Sequence, residues 1–243
     1  MYGVIDATEI SDIPEESTLR KFRGRLDRDI LDTVLAHLGK MITGNSEVTS
    51  GTDATGMSTT HASRHYIMRL KHFGTERTIV RGYTKMTLTV CVHTKAVLAA
   101  DTVGSRTADV KRFEPMLMKV VKGRFRMRYM TADKGYDAEY IHKMVKKYTD
   151  AEAVIPARTS KNGTRTRGVN RNRMKRELTD GSYLKSIYNF RVIVETVNSM
   201  IKKVLGEVLR GRNEDARHAE AMFRCMAHNF RVGQKISNSG MLA

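Results

Sequence analysis

Apolar residues recur along this chain with two different periods. Helical spacing predicts helices over residues 16–38, 109–121, 137–148 and 213–231. Runs rich in β-branched residues predict strands over residues 48–52, 85–94, 96–102, 125–132 and 152–156. The second and third strands form a predicted hairpin, and helices alternate with strands after it. This order predicts an α/β fold in which a mixed sheet is flanked by helices.

The charge balance indicates a polyanionic partner. The 243 residues include 43 lysines and arginines against 26 aspartates and glutamates, which gives a formal net charge of +17. Nucleic acid is the first candidate for such a partner, and an anionic membrane surface is the second. No apolar run approaches the roughly 20 residues that span a bilayer, and the acidic N-terminus does not resemble a secretory signal. We therefore expect a cytoplasmic protein with no membrane partner.

The two cysteines fit the same compartment. Cys91 lies in a predicted strand and Cys225 in a predicted helix, far apart in the sequence. We expect both to be buried, reduced thiols, with a disulfide between them as the alternative.

The window 188–202 carries four polar residues with the spacing Tyr-x2-Arg-x3-Glu-x6-Lys. These are Tyr188, Arg191, Glu195 and Lys202. On a single helix they fall within a stripe of roughly 60°. The carboxylate suits a hard cation, and the phenol, guanidinium and ammonium suit DNA phosphates. The alternative is a charged surface stripe in which Arg191 and Glu195 form an ordinary i,i+4 pair.

Two further segments place an aspartate where a strand gives way to a turn that contains glycine. Asp53 lies in Ser-Gly-Thr-Asp-Ala-Thr-Gly, and Asp133 lies in Thr-Ala-Asp-Lys-Gly-Tyr-Asp. Functional side chains of α/β sheets collect at such positions. With Glu195 they make three carboxylates in the order Asp, Asp, Glu. Asp137 is the alternative second carboxylate, and Asp101 is a more distant one.

These motifs resemble the DDE transposases of insertion sequences, in the IS-four/IS-five superfamily. The segment 53–56 is similar to the family's first-Asp segment, 132–137 to its second, and the four polar residues of 188–202 to its Tyr-Arg-Glu-Lys signature. Segments 13–26, 154–158 and 227–230 extend the resemblance over nearly the whole chain. The resemblance implies a ribonuclease H-like core, with the first Asp on the first strand, the second after the fourth, and the Glu on a following helix.

The resemblance also implies a reaction and its partners. The expected enzyme is a DNA transposase that cleaves phosphodiesters and transfers strands with two Mg²⁺ ions, which Mn²⁺ can replace. Asp53, Asp133 and Glu195 would hold the metal, with Asp53 bridging the ions, while Tyr188, Arg191 and Lys202 would handle the DNA backbone. The expected partners are double-stranded DNA, as terminal inverted repeats and target, and further copies of the chain at the nucleoid.

Two stretches of the chain are strongly basic. Residues 63–81 are basic and lack regular apolar spacing, which predicts a loop or a short helix near bound DNA. Residues 158–176 contain eight cations and no acid, so we do not expect this run to pack as a core element. Its position between Asp133 and Glu195 favours a DNA-contacting loop over a merely solvated one. Its candidate DNA-binding residues are Arg165, Arg167, Arg171 and Arg173.

The predicted organisation has three parts. Residues 1–44 form a basic helical region for end binding or dimerisation, 45–232 the catalytic domain, and 233–243 a flexible tail. The chain begins almost at the first family segment, which predicts a shortened end-binding region. The alternative function is therefore a truncated, catalytically idle DNA-binding remnant of such a transposase. A host nuclease on the same fold is disfavoured by the signature of 188–202.

Overall fold

A mixed six-stranded sheet forms the centre of the described structure. The computed structural model describes residues 14–59, 82–104, 107–158 and 167–239. The strands are β1 (Val48–Thr59), β2 (Gly82–Cys91), β3 (Val97–Gly104), β4 (Met127–Ala132), β5 (Glu152–Val154) and β6 (Val208–Leu209). Their order is β3-β2-β1-β4-β5, with β6 beside the end of β1. The pairs β1–β2 and β2–β3 are antiparallel, whereas β4 and β6 run parallel to β1 and β5 runs parallel to β4.

Eight α-helices surround this sheet in the part of the chain that the structure describes. They are α1 (Glu16–Arg23), α2 (Arg28–Thr43), α3 (Phe113–Lys122), α4 (Glu139–Tyr148), α5 (Val169–Glu177), α6 (Tyr183–Asn189), α7 (Val192–Leu205) and α8 (Glu214–Asn238). Short 3-10 turns cover Asp109–Arg112 and Lys134–Tyr136.

Two apolar cores lie on the two faces of the sheet. Neighbouring residues of a strand point to opposite faces, and accordingly Val90 and Cys91 belong to different cores. The core with Cys91 packs against α3 and α4, while the core with Val90 packs against α2, α7 and α8. The predicted mixed sheet flanked by helices is therefore confirmed, and the strand order agrees with the ribonuclease H-like core that the resemblance implies.

The predicted helix over 16–38 is wrong as a single element. The chain breaks it into α1 and α2, because the Asp27 carboxylate accepts a hydrogen bond from the Ile30 amide at 2.7 Å and starts a new helix. Leu31 and Leu35 of α2 are buried in the core with Val90. The second helix of the predicted N-terminal region thus packs on the sheet.

Other boundaries also differ from the prediction. Strand β1 continues to Thr59, so Asp53 lies inside a strand rather than at the turn where we expected it. Helix α8 continues to Asn238 and takes in part of the predicted C-terminal tail. Both cysteines are free and buried, which confirms the predicted thiols. The basic stretch 63–81 lies outside the described residues. Among those that are described, no helix is long and apolar enough to cross a membrane.

Candidate active site

Helix α7 lies against β1 at a glycine. A Cβ atom on Gly51 would lie 2.3 Å from Val194 Cγ2 and 3.7 Å from Arg191 Cα, so a side chain at this position collides with α7. Asp53 and Thr55 follow on the same face of β1, two and four residues further along. The Thr55 hydroxyl accepts a hydrogen bond from Lys202 Nζ at 2.6 Å. Glycine therefore lets α7 run along β1 closely enough to bring its polar side chains to Asp53.

Arg191 links the first carboxylate to the third. Its Nη2 atom lies 2.8 Å from Glu195 Oε1, and its Nη1 atom lies 3.7 Å from Asp53 Oδ2. The other Asp53 oxygen accepts a hydrogen bond from the Ala54 amide at 2.9 Å. Asp53 is half-buried, whereas Glu195 is exposed. One guanidinium therefore contacts two of the three predicted metal ligands.

The third predicted ligand, Asp133, follows directly on β4. Thr52 of β1 pairs with Ala132 of β4 in parallel register, so Asp53 and Asp133 occupy adjacent places on neighbouring strands. Burial raises the pKa of Asp53. The hydrogen bond from the Ala54 amide and the positive charge of Arg191 oppose this rise, whereas the negative charges of Glu195 and Asp133 add to it. All three carboxylates are thus close enough to interact, although they come from β1, the end of β4 and α7.

A fourth carboxylate, which we did not predict, belongs to the same region. A Cβ atom on Gly135 would lie 3.9 Å from both Asp109 Oδ2 and Asp133 Oδ2, so these oxygens are no more than twice that distance apart. The other Asp109 oxygen pairs with Lys85 Nζ at 2.8 Å. Asp109 stands at the start of a helical segment with no motif around it, and only the tertiary fold reveals its place.

The four-residue stripe of 188–202 does not lie on one helix. Tyr188 belongs to α6, and Arg191 precedes the first residue of α7. Hydrogen bonds of the i→i+3 type join the two helices through residues 190–194, so the turn is tighter than an α-helix. Tyr188 still lies beside Arg191, whose charge opposes the rise that burial causes in the tyrosine pKa.

The basic segment is better ordered than we expected. Helix α5 occupies much of it, and Met174 is buried in a small core with Val154 and Ile187. The expectation that this run does not pack as a core element is therefore wrong for residues 169–176. The reason is a single apolar side chain on the inner face of an otherwise polar helix.

Two of the four arginines predicted to bind DNA are paired within the chain. Arg171 donates to both carboxylate oxygens of Asp137, at 2.7 and 2.5 Å. Arg173 contacts Glu177 at 2.8 Å and Glu152 at 2.5 Å. Arg167 is exposed, and Arg165 lies outside the described residues.

The two alternative carboxylates have structural partners. The Asp137 side chain is fully covered and also accepts a hydrogen bond from the Arg158 amide at 2.7 Å. Asp101 lies on β3 among the cations Arg112 and Lys119. Both residues are committed to ion pairs, whereas Asp133 follows β4 beside Asp53 in the register of β1 and β4.

The donor set suits a hard cation. Asp53, Asp133 and Glu195 offer carboxylate oxygens, which are the ligands that Mg²⁺ takes in proteins. Within the described residues, no three His, Cys, Asp or Glu side chains are already close enough together to hold a metal, and Arg191 contacts two of these carboxylates. The buried hydroxyl of Tyr136, beside the aspartates, has no hydrogen-bond partner among the same residues. These residues fit a divalent ion, provided that their side chains rearrange on binding.

We expect Gly51→Ala to destabilise the protein by about 1–3 kcal/mol, because its methyl group overpacks the contact with Val194. Val194→Ala should cost about 2 kcal/mol by leaving a cavity. The double variant should lose less unfolding free energy than the two single variants lose together, by at least about 1 kcal/mol, because the new methyl group fills that cavity. Urea unfolding of the four proteins measures this coupling. Strict additivity would show that the glycine does not set the distance between α7 and β1.

Comparison with known proteins places these motifs in one family. The family model of the transposase DDE domain matches residues 50–230, which include Asp53, Asp133 and Glu195. Comparison with curated proteins gave no match. Among solved structures, the chain is similar to the Mos1 strand transfer complex (10% identity, 93% of this chain and 67% of that chain, TM-score 0.30). It is also similar to a pre-cleavage Mos1 transpososome (9% identity, 93% and 68%, TM-score 0.30). The fold assignment rests on the strand order and not on these two similarities.

Proposed function

This chain belongs to the transposase DDE-domain family, and we propose that it cleaves DNA and transfers the cut strands. The observation that supports the proposal is that three carboxylates from separate elements lie near one another, with Asp133 beside Asp53 in the sheet and Arg191 in contact with both Asp53 and Glu195. Asp53 comes from the middle of β1, Asp133 from the end of β4 and Glu195 from the first turn of α7. The parallel register of β1 and β4 and the glycine contact of α7 bring them together.

We assign the binding of Mg²⁺ or Mn²⁺ to these three side chains. Two bound ions would activate the attacking water or 3′-hydroxyl and stabilise the departing oxygen. Asp53 is the proposed bridging ligand, as the family resemblance implies. It adjoins Asp133 on the neighbouring strand and shares Arg191 with Glu195. Arg191 has to release Asp53 and Glu195 at least in part as they turn toward the metal, and its guanidinium is then available for a DNA phosphate.

DNA contact is assigned to the cations around this site and to the net charge of +17. Tyr188, Arg191 and Lys202 lie along α6 and α7 and form the proposed backbone contacts near the cut. Arg165 and Arg167 extend the contact into the basic segment. Arg171 and Arg173 are proposed instead to hold α5 in place, because acidic partners already neutralise their charges.

The proposed biological setting is an insertion sequence of the IS-four/IS-five type. In it the chain would bind the terminal inverted repeats and the target as a homo-oligomer, in the cytoplasm at the nucleoid. The second candidate function is a DNA-binding protein without cleavage activity. The contacts of Arg191 with both Asp53 and Glu195 favour this candidate, since a cation of the chain itself pairs with two of the three carboxylates.

A cleavage assay separates the two functions. The purified chain is incubated with labelled duplex DNA that carries the inverted repeats flanking its gene, in Mg²⁺, Mn²⁺, Ca²⁺ or EDTA. We expect nicks at the repeat ends with Mg²⁺ or Mn²⁺ and intact DNA in EDTA. DNA that is bound in a salt-sensitive manner but not cut with either metal would favour the second function. DNA that is neither bound nor cut would contradict both.

A further inference from the structure

Two tyrosines and two cations form a patch at the start of α6. Tyr183, the first residue of α6, meets Tyr129 of β4 edge-on, with ring centroids 6.2 Å apart and an interplanar angle of 69°. Arg128 lies over the Tyr129 ring, with its Cζ atom 5.6 Å from the centroid. Lys185 follows on α6, and its Nζ atom lies 5.7 Å from the ring centroid of Tyr188. We call Arg128, Tyr129, Tyr183 and Lys185 the aromatic platform.

The platform is supported from the protein side and open on the other. Ile187 of α6 packs in a small core with Val154 and Met174, which holds the helix on the sheet. Tyr183 is nevertheless 60% exposed. An aromatic ring that is held in place along one edge and open to solvent can receive a second planar group by stacking.

The two cations of the platform are available to an anionic partner. Arg128 lies 3.2 Å from Glu47, and Lys185 lies 4.0 Å from Asp180. The side chains of Glu47 and Asp180 are both more than half exposed, and solvent screens such surface pairs. The net charge of +17 adds to the attraction for a polyanion. Cations beside an open ring match the two parts of a nucleotide, its phosphate and its base.

Helix α6 connects the platform to the candidate active site. Tyr129 lies on β4 and Asp133 follows the end of that strand, about 13 Å further along it. At the other end of α6, the Tyr188 carbonyl accepts a hydrogen bond from the amide of Arg191 at 2.9 Å, and Arg191 contacts Asp53. At about 3.4 Å per nucleotide, a DNA strand at the carboxylates reaches the platform within about four nucleotides.

We propose that the aromatic platform binds unpaired nucleotides of a DNA strand beside the cleavage site, with a base stacked on Tyr183 and phosphates held by Arg128 and Lys185. The inference rests on the proposed function, because cleavage frees a strand end next to the carboxylates. Bases within a duplex already stack on one another, so the platform favours a single strand. Every base has a π-face, and we therefore expect binding with little dependence on sequence.

Binding of fluorescein-labelled oligothymidine in EDTA, measured by fluorescence anisotropy, tests the platform without cleavage. We expect Tyr183→Ala to weaken binding about tenfold, which lies within the range for loss of one base–aromatic stack. Its affinity for a duplex of the same length should be unchanged. Tyr183→Phe keeps the ring and should bind oligothymidine as the parent does.

Lys185→Gln tests the platform independently of Tyr183. Its slope of log affinity for oligothymidine against log salt should be flatter by about 0.7, the value for one lost phosphate contact of a single strand. An unchanged slope would overturn the role of Lys185. The unfolding temperatures of all variants show whether each remains folded.

Tyr148→Ala provides the matched control. Tyr148 is 43% exposed at the end of α4, and Lys147 Nζ lies 4.9 Å from its ring centroid. Helix α4 packs on the face of the sheet to which Ala153 points, whereas α6 packs on the face of Val154. Loss of this second tyrosine with a neighbouring cation should therefore leave the affinity for oligothymidine unchanged.

The possible results separate the platform from the proposed function. A parent that does not bind oligothymidine would overturn the platform. So would equal affinities of the parent and of Tyr183→Ala, or a loss in Tyr183→Ala that is as large for the duplex as for the single strand. Absence of cleavage by the parent in Mg²⁺ and Mn²⁺ would instead overturn the proposed function, and the binding measured in EDTA would still stand.

Discussion

Replacing Asp53 with asparagine should reduce metal-dependent DNA cleavage by about a thousandfold or more. The amide has nearly the shape of the carboxylate but lacks the charge that a bridging ligand gives to two cations. Metal ions stabilise the transition state by several kcal/mol, and a thousandfold loss corresponds to about 4 kcal/mol of that stabilisation. The measurement is the single-turnover cleavage rate in Mg²⁺, together with the unfolding temperature of each protein.

The Asp53→Asn variant should remain folded. Asp53 is half-buried, and burial already raises its pKa, so the folded protein disfavours the charged form that the substitution removes. Arg191 keeps its closer partner, Glu195, at 2.8 Å. We therefore expect an unfolding temperature within a few degrees of the parent, and the loss of cleavage can be assigned to the site.

Asp180→Asn is the control for this experiment. Its side chain is fully exposed and lies 4.0 Å from Lys185, so its replacement should change neither rate nor stability. If Asp53→Asn retained a tenth or more of the parent rate, Asp53 would not be a metal ligand. If Asp180→Asn lost activity as well, the assay would be reporting general charge effects on DNA binding.

The sequence was sufficient to predict the parts of the fold that short patterns encode. The run of β-branched residues before Asp133 predicts β4, and the structure places Asp133 directly after that strand. The alternation of helices and strands predicts the mixed sheet, and the parallel register of β1 and β4 then brings Asp53 next to Asp133. These features depend on local periodicity and on topology, both of which are present in one sequence.

The missed features depend on contacts between distant residues. Arg171 was predicted to bind DNA, but its partner Asp137 lies 34 residues away and became visible only in three dimensions. Gly51 lies in a predicted strand, and only the tertiary fold shows that α7 packs against it. Asp109 has no motif around it in the sequence, and only the tertiary fold brings it near Asp133. A single sequence gives the type of each residue but not which charges neutralise one another.

Replacing Asp101 with alanine should destabilise the protein more than Gly51→Ala or Val194→Ala does, by about 3–5 kcal/mol. Its side chain is 9% exposed and forms a close ion pair with Arg112 Nη2. Lys119 Nζ lies 3.6 Å away, and the more exposed Arg28 Nη1 lies 3.8 Å away. Asp101 thereby links β3 to α2, α3 and the 3-10 turn before α3.

The size of this loss follows from the cations that remain. Burial lowers the pKa of both Arg112 and Lys119, so the protein already holds their positive charges at a cost. Without Asp101, Lys119 retains Asp32 at 2.8 Å. Arg112 forms no ion pair with another acid among the described residues, and a buried cation left without its partner is strongly destabilising.

Urea unfolding of Asp101→Ala and Asp215→Ala measures the effect against a control in the same network. Asp215 also pairs with Arg28, at 3.1 Å, but its side chain is 85% exposed. Its loss should cost less than about 1 kcal/mol, because solvent screens such a pair. Asp101→Asn should be intermediate, since the amide oxygen still accepts hydrogen bonds but carries no charge. Equal losses of unfolding free energy for Asp101→Ala and Asp215→Ala would mean that burial does not increase the contribution of the Asp101 ion pairs. The packing of α2 and α3 on β3 would then stabilise this side of the sheet without Asp101.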